Sequence, residues 1–171
     1  MGADNQQERL SAEWVVGFVD GEGCFFVGFN RQPTMRIGWQ VLPEFRVVQH
    51  EKDVAILERL QEFFGCGMIT TNHGDRKELR IRGLRQLSER VVAFFKANPL
   101  NTVKRSSFDR FAEVIALMEQ GEHLTLEGLE KIKYLASRMN RGAQNPQRPY
   151  AGHPGSTGMM IWSELRGDTQ R

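Results

Sequence analysis

The sequence predicts an α+β domain, an antiparallel sheet with helices on one face in the order α-β-β-α-β-β-α. Three observations point there. Apolar residues fall at helical spacing at Leu10, Trp14, Val15, Phe18 and Val19, and again at Val54, Leu57, Leu60 and Phe64. Two-residue alternation marks strands at Phe45–Val48 and Glu78–Arg82. The turn His73-Gly74-Asp75 joins its two strands as a hairpin, which requires antiparallel pairing.

Residues 1–9 are polar and read as a flexible lead-in. A helix from Leu10 to about Val19, with Ser11 placed to cap it, must end at Gly21 and Gly23. Cys24 to Asn30 is rich in aromatic and aliphatic residues and suits a strand. Arg31 to Thr34, with Pro33, is a turn. Ile37 to His50 is the second strand, and Pro43 within it argues for a bulge or an irregular edge. Asp53 reads as the cap of a helix over Val54–Phe64, which Gly65-Cys66-Gly67 stops. Met68–Asn72 and Glu78–Arg82 form the hairpin, with Leu79 and Ile81 on one face and Glu78, Arg80 and Arg82 on the other. Helices follow at Leu84–Lys96, ended before Pro99, at Lys104–Glu119, and at Leu124–Met139 with Thr125 as a cap. The domain thus spans residues 10–141. From 142 to 171 the chain carries three of its six prolines and five of its seventeen glycines, with one apolar island at Met159–Leu165. That composition reads as a flexible extension.

Composition narrows the class. The 171 residues, 40% hydrophobic and 26% charged, make one globular domain and a tail. No apolar run approaches the roughly 20 residues of a membrane helix, and no signal peptide is read at the N-terminus. Cys24 and Cys66 read as free thiols of a reducing compartment. The expected location is therefore cytoplasmic, associated with the nucleoid, or organellar, and not secreted. The four histidines are scattered without metal-ligand spacing, and neither a P-loop nor a G-x-S-x-G is present. Net charge is only +2, but Arg76 to Arg90 holds six basic residues against two acids. Charge alone reads there as a solvated face.

The chemistry concentrates at residues 14–23. An apolar helix runs into two acids, Asp20 and Glu22, interleaved with glycines. Gly17 and Gly21 lie four apart on one helix face, each a loss of up to about 1 kcal/mol in helix propensity. Close packing of a second helix backbone would offset that loss. A helix C-terminus already carries partial negative charge, so carboxylates placed there are favourable only beside a cation. Carboxylate and carbonyl oxygens suit Mg²⁺.

The string Val15-Val16-Gly17-Phe18-Val19-Asp20-Gly21-Glu22-Gly23 resembles the motif of the LAGLIDADG homing endonucleases. It departs from that motif at Val15 and Val16, which replace Leu and Ala, and has Glu as the final acid. The element order resembles the family core over about residues 10–140. Phe45-Arg46-Val47-Val48-Gln49 is similar to a strand end that carries a polar active-site residue, here Gln49. Asn98-Pro99-Leu100-Asn101-Thr102-Val103-Lys104 is similar to a segment that carries an active-site lysine, here Lys104. A basic family position four residues after the glutamine falls on Asp53, with Lys52 and His50 as neighbouring substitutes.

The resemblance implies a site-specific, metal-dependent endonuclease of intron homing, cutting both strands of a long pseudo-palindromic DNA target across the minor groove. It implies Mg²⁺, two or three ions per dimer active site, held by Glu22 and the Gly21 carbonyl. Gln49 would order water, Lys104 would stabilise phosphorane charge, and Asp20, grouped with them, would serve more as structure than as chemistry. One motif copy implies a homodimer through Trp14, Gly17, Phe18 and Gly21. The sheet would enter the major groove with Asn30, Arg31, Gln32, Arg36, Gln40, Arg46, Thr70, Asn72, Arg76, Arg80 and Arg82. Phe26, Phe29 and Trp39 read by default as core. Double-stranded DNA is the expected partner, with no membrane. Three other readings stay open: an intron maturase that binds RNA, a non-catalytic DNA-binding regulator, and a structural homodimer built on the glycine helix.

Overall fold

The computed structural model describes residues 9–139. The expected lead-in, Arg9 excepted, and the expected extension over 142–171 with its apolar island lie outside the described residues. The elements are α1 (Ala12–Glu22), β1 (Gly23–Arg31), β2 (Trp39–His50), α2 (Val54–Phe64), β3 (Met68–His73) and β4 (Arg76–Ile81). Then come α3 (Leu84–Gln86), a π-helical stretch over Leu87–Val92, α4 (Ala93–Ala97), α5 (Lys104–Glu119) and α6 (Leu126–Ser137). The α+β order expected from the sequence is therefore present. The π-helical stretch was not legible, because apolar spacing does not separate it from an α-helix.

Local chemistry sets most of the boundaries. Ser11 Oγ accepts from the Trp14 N–H at 3.2 Å and starts α1. The helix tolerates Gly21 and runs on to Glu22. It stops at Gly23, where a Cβ would come 2.5 Å from Val19 Cγ1 and 2.9 Å from the Val19 carbonyl oxygen. Only glycine fits that approach. Gly65 takes a left-handed φ of 66° and ends α2. Thr125 caps α6 by accepting from the Gly128 N–H, so that helix starts at Leu126, not Leu124.

Two expectations need correction. Asp53 does not cap α2: it belongs to a 3-10 turn, Glu51–Asp53, and makes no capping bond. The side chain that accepts there is His50, whose Nδ1 takes the Lys52 N–H at 3.1 Å. Pro43 causes no bulge, since the β1–β2 register is unbroken from Gly23–Val47 to Arg31–Trp39. The β2–β4 ladder ends at Phe45–Ile81, so Pro43 stands where β2 has only one neighbour and needs no second donor. The irregular register lies instead between Thr71 and His73.

The four strands pair antiparallel in the order β1-β2-β4-β3. Alternation sorts them into two faces. Phe25, Val27, Val41, Phe45, Val47, Leu79 and Ile81 are buried in one core with Val15 and Val19 of α1, Leu57 and Leu60 of α2, and Phe111 and Ile115 of α5. Phe25 is its hub, with ring centroids of Phe45 and Phe108 at 5.3 Å, Phe111 at 5.4 Å and Phe95 at 5.7 Å. The other face carries Asn30, Gln40, Arg46, Thr70, Asn72, Arg76 and Arg80. The hub makes a stability prediction. Phe25→Ala should lose about 3–5 kcal/mol, seen as a lower urea midpoint at unchanged slope; an unmoved midpoint would show that the core closes without it.

Candidate functional site

The C-terminal end of α1 meets the start of α5. Asn98 is extended ahead of Pro99, and the following residues turn back towards α1. There the Asp20 carboxylate accepts three hydrogen bonds. Asn101 N–H donates to Oδ2 at 2.7 Å; Thr102 N–H and Thr102 Oγ1 donate to Oδ1 at 3.3 and 2.7 Å. In return Lys104 Nζ donates to the Val19 carbonyl at 2.8 Å, a second donor to the oxygen that already accepts the Gly23 N–H closing the helix. Burial alone would raise the Asp20 carboxyl. The bonds from Asn101 and Thr102 and the charge of Lys104 outweigh it and hold the group below its ordinary value. Burial pushes the Lys104 ammonium down, while Cys24, Asp20 and Glu22 pull it the other way.

Glu22 is exposed at the last turn of α1, and its carboxylate makes no hydrogen bond or ion pair among the described residues. The two acids of the motif are thus in different situations. Asp20 is fully engaged by its own chain, whereas Glu22 is available. Gln49 lies two residues beyond the Val47–Gly23 pair, level with the end of α1, and pairs with Lys77 of β4. Glu22, Gly21, Lys104 and Gln49 therefore come to one end of the sheet. Among the described residues no three His, Cys, Asp or Glu side chains converge as a complete metal site. One chain offers hard oxygens, the Glu22 carboxylate and the Gly21 carbonyl, fewer than the six that Mg²⁺ takes. His50, a candidate for the missing basic position, is committed elsewhere: its Nε2 lies 2.9 Å from Asp75 Oδ2.

The outer face of α1 is bare. Among the described residues, a Cβ on Gly17 or Gly21 would meet nothing within 4 Å. Trp14 is 41% exposed and stacks on Phe18, centroids 4.7 Å apart and planes 16° apart. Val15, Val16 and Val19 face the core instead.

The residues expected to read DNA divide. Asn30, Gln40, Arg46, Thr70, Asn72, Arg76 and Arg80 share the open sheet face, and Arg82 joins them through Glu44. Gln32 and Arg36 lie in the exposed turn between β1 and β2. Arg31 does not belong to that set. It pairs with Trp39 on the helix side, and its guanidinium sits 4.7 Å from the Trp39 ring centroid, with Lys133 Nζ at 5.4 Å. The default for Phe26 also fails: it stands on the open face under the Arg46 guanidinium, 4.7 Å from its ring centroid. Sequence reading missed Lys77 beside Gln49, the Asn101 and Thr102 donors, and any part for two carboxylates of the open face, Glu44 and Glu78, of which it had placed only Glu78 there. For the last pair a signal existed, since Glu44-x-Arg46 and Glu78-x-Arg80 place an acid and a base on the same side of a strand.

Comparison with known proteins gives a consistent picture. Residues 15–115 match the family described as LAGLIDADG endonuclease. A probable intron-encoded endonuclease of Neurospora crassa is 32% identical over 135 residues, 78% of this chain. The chain spans about a quarter to a third of the length of such curated relatives, 30% in this case. The crystal structure of the homing endonuclease I-TnaI superposes with a TM-score of 0.76 at 54% identity, covering 79% of this chain and 91% of that one. I-SmaMI bound to cleaved DNA superposes with a TM-score of 0.76 at 36% identity, covering 80% of this chain and 46% of that one.

The Asp20 tie has a measurable consequence. A depressed carboxyl contributes stability that is present above its ordinary value of 3.8 and is lost as pH falls through the lower folded value. Asp20→Asn should lower stability at pH 7 by about 1–2 kcal/mol and flatten the acid limb of a melting-temperature profile. An identical acid limb in the variant would show that the tie contributes nothing.

Proposed function

The chain belongs to the LAGLIDADG endonuclease family, and from that premise we propose that it acts as a homodimeric, Mg²⁺-dependent homing endonuclease. Its substrate is a long, pseudo-palindromic double-stranded DNA site, cut on both strands. The observation that carries this reading is the unequal state of the two motif acids. Asp20 is spent on holding α1 to α5, while Glu22 projects free beside Lys104.

Membership implies dependence on a divalent metal, and the donor chemistry suits a hard ion. Glu22 and the Gly21 carbonyl would hold it, and when bound it would supply Lewis acidity and a more acidic water. The chain's own groups do the rest. Lys104 spends one N–H on Val19 and keeps two for phosphate oxygens. Gln49, with both a donor and an acceptor, orients the attacking water. Asp20 acts at one remove by fixing the helix end that carries Glu22.

The bare glycine face supports the dimer. Two glycines in one helix face lower helix stability, and none of the described residues uses the space they leave. A second copy of α1 would. It would also bring a second Glu22 to the axis, doubling the oxygen donors. A twofold pair makes the target roughly palindromic.

Two outcomes follow. Light scattering of the purified chain should give about twice its mass of 19.6 kDa; a strict monomer at micromolar concentration, with and without DNA, would sink the two-chain site. Glu22→Gln keeps the side-chain shape but weakens the metal site. Gel-shift affinity should hold or tighten, because an acid near phosphates is removed. Nicking should fall by at least a hundredfold, since each 1.36 kcal/mol lost is about tenfold in rate. Equal cutting by variant and wild type would take Glu22 out of the chemistry. A wild type that binds a verified target and never cuts it would favour the regulator.

A further inference from the structure

Glu44 and Glu78 stand on the open face of the sheet and are nonetheless only 5% and 0% exposed. The register shows what covers them. Arg46 of β2 lies directly opposite Arg80 of β4, a like-charge pair that is unfavourable by itself. Glu44 precedes Arg46 by two residues and Glu78 precedes Arg80 by two, so each acid shares a face with the arginines.

The carboxylates interleave with three guanidinium groups. Glu44 Oε1 accepts from Arg82 Nε at 2.6 Å, and its Oε2 lies 3.5 Å from Arg46 Nε and 3.9 Å from Arg80 Nε. Glu78 Oε1 accepts from Arg80 Nη2, and Oε2 accepts from Asn72 Nδ2 at 2.8 Å. Arg46 is held from the other side by the Phe26 ring. Arg80 Nε is buried without a hydrogen-bond acceptor. Two carboxylates against three arginines leave one net positive charge. Neither carboxylate serves the chemistry at the end of α1, and burying both is unfavourable unless their partners gain from it.

Resting on the reading of this sheet as a DNA surface, we infer that Glu44 and Glu78 are positioning residues that turn Arg46, Arg80 and Arg82 into base readers. A phosphate contact needs charge and accepts many orientations; a base contact needs orientation. The guanidinium fork matches guanine O6 and N7 only when its plane is fixed. The carboxylates fix that plane before DNA arrives, so less side-chain freedom is lost on binding. They also neutralise two of the three charges, which withholds them from the phosphate backbone. This part of the sheet should then add about one unit to the salt dependence of binding instead of about three.

The test is in vitro selection from a randomised duplex pool, paired with the salt dependence of affinity, on the full chain. Wild type, Glu44→Gln and Glu44→Asp are compared, each checked for folding by circular dichroism. Wild type should enrich guanine at one or two positions in each half-site. Glu44→Gln should weaken that preference alone, bind random duplex more tightly, and steepen the salt slope by about one unit. Glu44→Asp keeps the charge on a shorter arm, so it should keep the wild-type slope and lose part of the preference. The same preference and the same slope in wild type and Glu44→Gln would overturn the inference. If Glu44→Gln does not fold, Arg82→Lys at a half-exposed position asks the same question: it keeps charge and loses the fork, so an unchanged guanine preference overturns the inference. A wild type that enriches no sequence overturns the DNA reading itself, and this inference with it.

Discussion

The arrangement of the site depends on a reciprocal clasp between two helix ends 82 residues apart in the chain, Glu22 closing α1 and Lys104 opening α5. Asp20 gives its carboxylate to the backbone that opens α5, and Lys104 of α5 gives its ammonium to the carbonyl that closes α1. Each end supplies what the other lacks. The segment leading into α5 turns two backbone N–H groups and a hydroxyl towards an anion; the last turn of α1, at the negative end of its dipole, turns a carbonyl towards a cation. The clasp fixes where α1 stops, and Gly23 then starts β1 with no intervening loop. Glu22 is consequently held between a locked helix and a locked strand. Few torsions separate it from the core, so its position is set by packing and not by a flexible tether.

The sheet resolves two opposed demands with one alternation. One face is apolar and centred on Phe25, which anchors the helices. The other is polar, as a surface for the proposed DNA partner requires, and a polar face contributes little to folding. Here the polar face is not left to solvent. Its acids and arginines order one another, and Phe26 supplies an apolar surface for Arg46. The charges are paired well enough to be enclosed, yet each guanidinium retains donors of its own.

Features carried by neighbouring residues were legible in the sequence. Ser11, Gly65 and Thr125 act within a few residues of themselves, and each does what its local chemistry predicts. The strand faces followed from alternation, and eight of the expected DNA-facing residues stand on the open face or joined to it. Misreadings arose where one local cap displaces another or where a partner on another strand decides. Asp53 has the chemistry of a cap but sits in a 3-10 turn that His50 caps. Arg31, expected on the outward face, stands on the helix side beside Trp39, its partner across the hairpin. The donors to Asp20 lie 81 and 82 residues further along, beyond any local pattern. The sequence could set Asp20 at the end of α1; only the fold shows which groups it accepts from.

The glycines of the motif are held by unequal constraints. Gly23 is fixed by its own chain, since any side chain would run into Val19. Gly17 and Gly21 have open space and answer only to whatever lies against α1. If the chain acts as the proposed dimer, gene copies that lost pairing and cutting would decay in a definite order. Side chains would accumulate first at Gly17 and Gly21, where substitution is neutral for a lone folded chain and even favourable for the helix. Gly23 and Asp20 would persist as long as the domain folds at all. On the proposed dimer, an intact pair at 17 and 21 would mark a lineage under selection for assembly, whereas Gly23 and the Asp20 tie answer to the folding of the single chain.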